Sequence, residues 1–134
     1  MRFTATELEG AWFVDVEAHE DNRGLFARTF CACEFRERGL TDNFVQCNSS
    51  WNIQKGTIRG LHYQLSPSSE VKLVRCTAGS IWDVIVDMRP ESPTYLQHLG
   101  VELTAMNELD DDQVLSWMAQ AAKKPYVTAA MKKK

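Results

Sequence analysis

Five polar residues that could do chemistry lie in segments with the apolar composition of strands; they are Gln46, Asn48, Arg59, His62 and Lys72. Buried polar groups need partners, because leaving them unpaired inside a sheet costs free energy. We therefore expect these side chains to surround a ligand or to form a satisfied hydrogen-bond network. A neutral imidazole near an ammonium group suggests one reaction, in which His62 removes a proton next to a carbonyl and Lys72 stabilises the enolate oxygen. The alternative for His62 is a hydrogen-bonded structural role.

Sheet geometry decides which of these side chains can converge. Gln46 and Asn48 are two residues apart, so a regular strand places them on one face. Arg59 and His62 are three residues apart and would face opposite sides. Gly60 lies between them, and a glycine bulge there would turn both side chains to the same side. The sequence therefore predicts a bulge at Gly60.

Lys72 is expected to have a counter-ion in Asp83. If Ala78 and Gly79 form a two-residue hairpin turn, Val74 lies opposite Asp83, and Lys72 then shares a face with Asp83 at a diagonal distance. A three-residue turn would reverse that parity. A purely structural salt bridge is the alternative interpretation of this pair.

A β-rich framework is expected to position these residues. Between residues 11 and 104, short runs rich in Val, Ile, Phe, Trp and Thr alternate with Gly, Asn, Asp, Ser and Pro, which is typical of an all-β domain. One short helix is predicted over residues 33–38, with Gly39 as its C-cap. The expected strands cover residues 12–16, 25–30, 44–51, 57–64, 71–76, 81–87 and 96–104.

The pattern changes after Asn107, where acidic residues precede apolar residues at helical spacing. This pattern predicts a C-terminal helix over residues 110–124. The acidic residues lie at its positive end, Lys123 and Lys124 lie at its negative end, and Pro125 ends it.

Composition and charge exclude several classes of protein. The chain has 134 residues, 44% of them hydrophobic and 25% charged, which is enough for one globular domain. A net charge of -3 provides no basic field for a nucleic acid. No apolar run is long enough for a membrane span, and the start lacks a signal peptide's apolar stretch, so we expect a cytoplasmic location. The four cysteines form no C-x-x-C pair and are expected to be reduced thiols.

Five motifs occur in the order seen in the dTDP-4-dehydrorhamnose 3,5-epimerases. They are D-N-R-G-L-F at 21–26, F-V-Q-C-N-S at 44–49, G-T-I-R-G-L-H-Y-Q at 56–64, K-L-V-R-C at 72–76 and D-V-I-V-D-M-R at 83–89. The chain resembles this family over about residues 5 to 107, and several ordered motifs are more specific than one. The resemblance implies a cupin jelly roll, usually a homodimer, that acts on a dTDP-linked 4-keto-6-deoxyhexose. Cupins often bind metal through H-x-H, but Gln64 takes the second position here, which agrees with an epimerase that needs no metal or other cofactor.

The resemblance also implies roles for individual residues. His62 corresponds to the base that takes protons from the carbons flanking the keto group, and Lys72 corresponds to the cation beside the enolate. A guanidinium suits a diphosphate because it can fork two hydrogen bonds onto one charged group. The positions that match contacts to the nucleotide, its diphosphate or the sugar are Arg23, Gln46, Asn48 and Arg59.

The chain also departs from the family pattern. Arg28 stands where the family commonly has a nucleotide-contacting glutamate, and Ser68 stands where a histidine is common. After Asn107, the family's last strand motif, its tyrosine acid and the carboxylate partner of the histidine are not recognisable. We therefore expect an incomplete cupin-like epimerase domain over residues 1–107 and a divergent helical tail over residues 108–134.

Two other interpretations remain open at this point. One is a non-catalytic cupin module that binds a nucleotide sugar or mediates dimerisation, and the other is a truncated or frameshifted reading frame. A jelly roll without its final strands leaves unpaired edges and an uncovered apolar face, so a second subunit is expected to cover them.

Overall fold

A computed structural model describes residues 1–105, 116–119 and 126–132. One short helix, α1, covers Ala32–Arg36. The strands in chain order are β1 Arg2–Ala5, β2 Ala11–Asp15, β3 Ala18–Asp21, β4 Gly24–Ala27, β5 Ile58–His62, β6 Lys72–Arg75, β7 Ser80–Asp87, β8 His98–Thr104, β9 Ser116–Ala119 and β10 Tyr126–Lys132.

The strands form two four-stranded antiparallel sheets. The first sheet has the order β1-β2-β9-β6, the second sheet has the order β5-β10-β7-β8, and β3 pairs with β4 in a separate hairpin. Both sheets contribute to one apolar core, because Ala11 of β2 is buried with Ile85 of β7 and Leu103 of β8. The molecule is therefore a sandwich of two sheets, and the predicted all-β class is confirmed.

The outer face of the first sheet is covered by α1. Phe35 of the helix is fully buried with Val14 and Leu40, and its ring makes edge-to-face contact with Phe3 at 5.2 Å between centroids. The helix ends at Arg36, with Glu37 as its C-cap, and the turn that follows contains Gly39 at a φ of +69°, which a glycine reaches at little cost. The predicted short helix is confirmed with its ends shifted by one or two residues, but its C-cap is Glu37 rather than the predicted Gly39.

The C-terminal helix predicted over residues 110–124 is wrong where the structure describes it. Ser116–Ala119 form β9, which lies between β2 and β6, and Tyr126–Lys132 form β10, which lies between β5 and β7. The remaining residues of the predicted helix lie outside the described residues. An isolated helix of about 12–15 residues is marginal in water. A strand inside a sheet instead gains backbone hydrogen bonds from both neighbours, so tertiary pairing outweighs the helical spacing.

Two details of the strand prediction also need correction. Residues 44–51 do not form a strand, and Val45 is 90% exposed, because alternating composition gives a strand only where a neighbour accepts its hydrogen bonds. The predicted hairpin that pairs Val74 with Asp83 is also wrong. Its two strands, β6 and β7, belong to different sheets, and the segment between them carries the chain from one sheet to the other.

A buried ionic network closes one end of β7. Arg89 donates from Nε to Oδ1 and from Nη2 to Oδ2 of Asp87, both at 2.8 Å, and Thr94 Oγ1 donates to Oδ2 at 2.7 Å. Arg89 Nη2 also donates to the backbone carbonyl of Glu9, which ties this end of the sheet to the N-terminal loop. Burial alone would raise the pKa of the Asp87 carboxyl, but hydrogen bonds from Arg89, Ser92 and Thr94 together hold that pKa well below its usual range.

We expect Asp87→Asn to lower the free energy of unfolding by about 3–5 kcal/mol at neutral pH, because Arg89 would lose its buried counter-ion. Because the pKa of the Asp87 carboxyl is lower in the folded state, its ionised form stabilises the folded protein fully at pH values above the unfolded-state pKa of ~3.9. This stabilisation is lost as the pH falls toward the folded-state pKa. The difference between wild type and variant should therefore narrow in acid. Urea unfolding at neutral and acidic pH measures it, and a difference that does not change with pH would contradict the ionic explanation.

Candidate functional site

A bulge in β5 aligns two of the predicted site residues. His62 lies opposite Thr128 of β10 and Arg59 lies opposite Ala130, so three steps along β5 match two steps along β10. Gly60 lies within the extra step and has a φ of +116°, a conformation that side chains with a Cβ rarely adopt. Paired residues of an antiparallel ladder share a face, so Arg59 and His62 lie on the same side of the sheet. The predicted glycine bulge is confirmed.

The strand register also shows which face of the second sheet carries Arg59 and His62. The β10 residue opposite His62 also pairs with Ile85 of β7, and the β10 residue opposite Arg59 also pairs with Asp83. Ile85 is fully buried in the core between the two sheets. His62 and Arg59 therefore lie on the inner face of the second sheet, two strands and roughly 10 Å from Ile85 and Asp83. β5 is at the end of the sheet order, and both residues are exposed to solvent.

Lys72 lies on the inner face of the opposite sheet. Strand alternation places it with Val74, which packs against the core between the sheets, whereas Leu73 packs against the helix-covered cluster. Its side chain is 27% exposed, and Nζ forms an ion pair with Glu70 Oε1 at 2.9 Å. The predicted base and the predicted cation thus lie on the two inner faces of one sandwich.

Asp83 is 2% exposed and alternates with Ile85, so its side chain also belongs to the inner face of the second sheet. The hairpin from which its partnership with Lys72 was predicted is absent, since the two residues lie in different sheets. Both nevertheless lie on inner faces. A supporting role for Asp83 near Lys72 stays a prediction.

Gln46 and Asn48 lie in an irregular, exposed segment rather than a strand. Gln46 Nε2 donates to Asn48 Oδ1 at 3.2 Å, so their side chains are on one side as expected. Arg23 lies in the turn of the β3–β4 hairpin, and its side chain is 85% exposed. Its guanidinium donates to Asp21, and these hydrogen bonds lower the pKa of the Asp21 carboxyl.

Sequence reasoning missed two residues that contact the predicted site. Glu70 pairs with Lys72, and Asn52 Oδ1 accepts a hydrogen bond from Arg59 Nε at 2.6 Å. Glu70 could have been found, because opposite charges two residues apart in an extended segment lie on one side of the chain. Asn52 could not, because its contact depends on how the loop before β5 folds back.

Neither a metal-ligand cluster nor a membrane-spanning helix occurs among the described residues. Within residues 1–105 and the two C-terminal strands, no three His, Cys, Asp or Glu side chains come together as ligands for a metal ion. The helical part of the described structure contains nothing long and apolar enough to cross a bilayer. The cysteines are free thiols, and Cys76 is buried.

An antiparallel sandwich with polar residues on its inner faces places the protein in the cupin-like class. The chain belongs to the dTDP-4-dehydrorhamnose 3,5-epimerase family, whose family model matches residues 5–111. Two curated epimerases are similar to it. The protein of Methanothermobacter thermautotrophicus is 43% identical over 106 residues, which are 79% of this chain and 56% of that protein. The protein of Shigella flexneri is 41% identical over 109 residues, which are 81% of this chain and 60% of that protein.

Solved structures give the same result for the fold. A Bacillus anthracis dTDP-4-dehydrorhamnose 3,5-epimerase with TDP and PPi bound superposes with a TM-score of 0.86 at 31% identity, covering 98% of this chain and 70% of that chain. A Legionella pneumophila epimerase in complex with dTDP-4-keto-L-rhamnose superposes with a TM-score of 0.83 at 33% identity. The superposition covers 99% of this chain and 65% of that chain. The cupin-like fold and the family resemblance are confirmed. The chain spans less than two thirds of the length of the two curated relatives.

Proposed function

We propose that this protein epimerises a dTDP-4-keto-6-deoxyhexose by moving protons at the carbons next to the ketone. The observation that carries the proposal is the β5 bulge, which puts Arg59 and His62 on one inner face, opposite the face that holds Lys72. Membership of the epimerase family supports the same reaction. Two solved relatives, with TDP and PPi and with dTDP-4-keto-L-rhamnose bound, support the ligand class.

In the proposed reaction, the imidazole of His62 accepts a proton from a carbon beside the ketone. The electrons of the broken C–H bond move toward the ketone oxygen, and the ammonium of Lys72 stabilises the enolate that forms. Water or the ammonium of Lys72 then gives a proton to the opposite face of the carbon, which inverts its configuration. His62 is open to solvent and releases the abstracted proton to water, so hydrogen from the solvent enters the sugar.

We assign the binding of the substrate to Arg23, Gln46, Asn48 and Arg59. The two arginines suit the diphosphate, since a guanidinium donates two parallel hydrogen bonds to oxygens of one anion. The amides of Gln46 and Asn48 both donate and accept hydrogen bonds, which suits a sugar or a base. Asp83 is assigned a supporting role. The cytoplasmic location predicted from the sequence remains part of the proposal.

We also propose that two copies of the chain associate. Large apolar side chains are exposed in the segment before β5, where Val45 and Ile53 are each 90% exposed and Trp51 is 76% exposed. On the β3–β4 hairpin, Phe26 is 75% exposed. Apolar surface of this kind marks an interaction site in soluble proteins.

Sedimentation equilibrium is expected to give twice the mass of one chain for wild type. For Trp51→Lys, the measured mass should shift toward that of one chain. A single-chain mass at all concentrations would contradict the proposal.

The experiment that tests the function is conversion of a dTDP-4-keto-6-deoxyhexose followed by proton NMR. New resonances from inverted configuration at either carbon beside the ketone would support an epimerase. Unchanged resonances, together with calorimetric binding of the same compound, would favour a non-catalytic module that binds a nucleotide sugar.

A further inference from the structure

The contact between Asn52 and Arg59 joins an irregular loop to the proposed site. Asn52 is half-buried and lies seven residues before Arg59. Its Oδ1 accepts a hydrogen bond from Arg59 Nε at 2.6 Å, which is short for a hydrogen bond between nitrogen and oxygen. Arg59 is exposed on the edge strand β5, so this contact fixes a side chain that would otherwise sample many rotamers.

Because Asn52 contacts Arg59 at Nε, the other N–H groups of the guanidinium remain as donors for a ligand. A guanidinium has five N–H groups, one on Nε and four on the two terminal nitrogens. Asn52 uses the Nε group, which leaves the terminal nitrogens to form a fork onto one anionic group. The partner is a neutral amide, so it orients the guanidinium without cancelling its charge.

Arg23 shows the opposite arrangement. Both Nε and Nη2 of Arg23 donate to the carboxylate of Asp21, so its charge is paired and its donors are engaged. Arg59 instead donates to the neutral amide of Asn52. This contact orients the guanidinium but leaves its positive charge uncompensated. An oriented, uncompensated guanidinium is suited to bind an anion directly.

The loop that carries Asn52 is held by its own contacts. Thr57, the residue before β5, donates from Oγ1 to the backbone carbonyl of Gln54 at 2.7 Å. Gly56 has a φ of +77°, which lets the chain turn back toward β5. This turn brings Asn52 beside Arg59 although six residues separate them.

We infer that Asn52 is a positioning residue, which orients Arg59 so that its terminal nitrogens bind the diphosphate of the nucleotide sugar. The inference rests on the proposed function. Removing the amide frees the arginine side chain, and ligand binding must then order it. Asn52→Ala is expected to weaken dTDP binding roughly 3- to 10-fold, the cost of ordering one long side chain. Thymidine lacks the diphosphate, so its affinity should not change.

Calorimetric titration with dTDP and with thymidine tests this on wild type, Asn52→Ala, Arg59→Ala and the double variant. Gln54→Ala is the matched control, because it changes a side chain of the same loop and keeps the carbonyl that Thr57 contacts. We expect Arg59→Ala to weaken dTDP binding more than Asn52→Ala, and Asn52→Ala to add nothing when Arg59 is already alanine. Gln54→Ala should bind as wild type does.

The failures of the two proposals are distinguishable. If wild type does not bind dTDP, or if Arg59→Ala binds it normally, the proposed diphosphate site is wrong and the inference is wrong with it. If Arg59→Ala weakens binding but Asn52→Ala does not, the inference alone is overturned. It is also overturned if Asn52→Ala weakens dTDP and thymidine equally, or if it has its full effect in the Arg59→Ala background, because a general loss of structure would produce those results.

Discussion

Replacing His62 with asparagine is expected to slow proton removal from the substrate by about two to four orders of magnitude, the usual contribution of a general base. Asparagine keeps a polar side chain of similar size but cannot accept a proton at neutral pH. His62 is exposed on the edge strand β5, so its replacement leaves no cavity, and the melting temperature should stay within a degree or two of the wild-type value. The rate of deuterium entry from heavy water and a thermal melt measure the two quantities.

His98→Asn provides the matched control. His98 is exposed at the start of β8 and pairs with Val86, so it lies on the outer face of the same sheet, away from the inner-face site. This variant should exchange protons as fast as wild type. A large drop in melting temperature for His62→Asn, or an equal loss of exchange in the His98 variant, would favour a structural role for His62.

Lys72→Met is expected to lower kcat by about two to three orders of magnitude, the typical effect of removing one group that stabilises a developing oxyanion. Methionine keeps the length and the apolar stem of lysine but not its charge. Because the charge of the oxygen develops in the transition state, kcat should fall much more than the affinity for the substrate. The half-buried Lys72 side chain pairs with a Glu70 that is 40% exposed, so water can solvate the remaining carboxylate.

Lys55→Met removes an exposed lysine from the loop before β5 and is the control for a change in net charge. Its kcat should match that of wild type. If Lys72→Met instead weakened substrate binding and left kcat unchanged, Lys72 would be a binding residue rather than the cation beside the enolate.

The parts of the fold that could be predicted from the sequence depend on local chemistry. Arg59 and His62 are three residues apart, so a regular strand would place them on opposite faces. Gly60 between them predicted the bulge, because glycine tolerates the backbone conformation of the extra residue. Gly39 predicted the turn that follows α1 for a similar reason, although the C-cap itself is Glu37. The strands β2, β5, β6, β7 and β8 were predicted from their alternating or β-branched composition, although their ends moved by one or two residues.

The parts that could not be predicted depend on distant partners. Residues 116–119 have helical spacing, but they form a strand between β2 and β6, which are more than forty residues away in the sequence. The turn near Gly79 looks like a hairpin, but the two strands that it joins belong to different sheets. The prediction that Lys72 and Asp83 point inward was therefore based on a strand pairing that does not exist. Local patterns indicate which face a residue takes, whereas the choice of partner strand depends on the whole core.

The most direct test of proton transfer beside the ketone is the mass of the sugar nucleotide recovered after incubation with wild-type protein in heavy water. We expect the recovered dTDP-4-keto-6-deoxyhexose to gain deuterium at the carbons that flank the ketone, at a rate that His62→Asn reduces by about two orders of magnitude or more. Recovery of the compound without deuterium, under conditions in which calorimetry shows it bound to the protein, would contradict catalysis by His62 and Lys72.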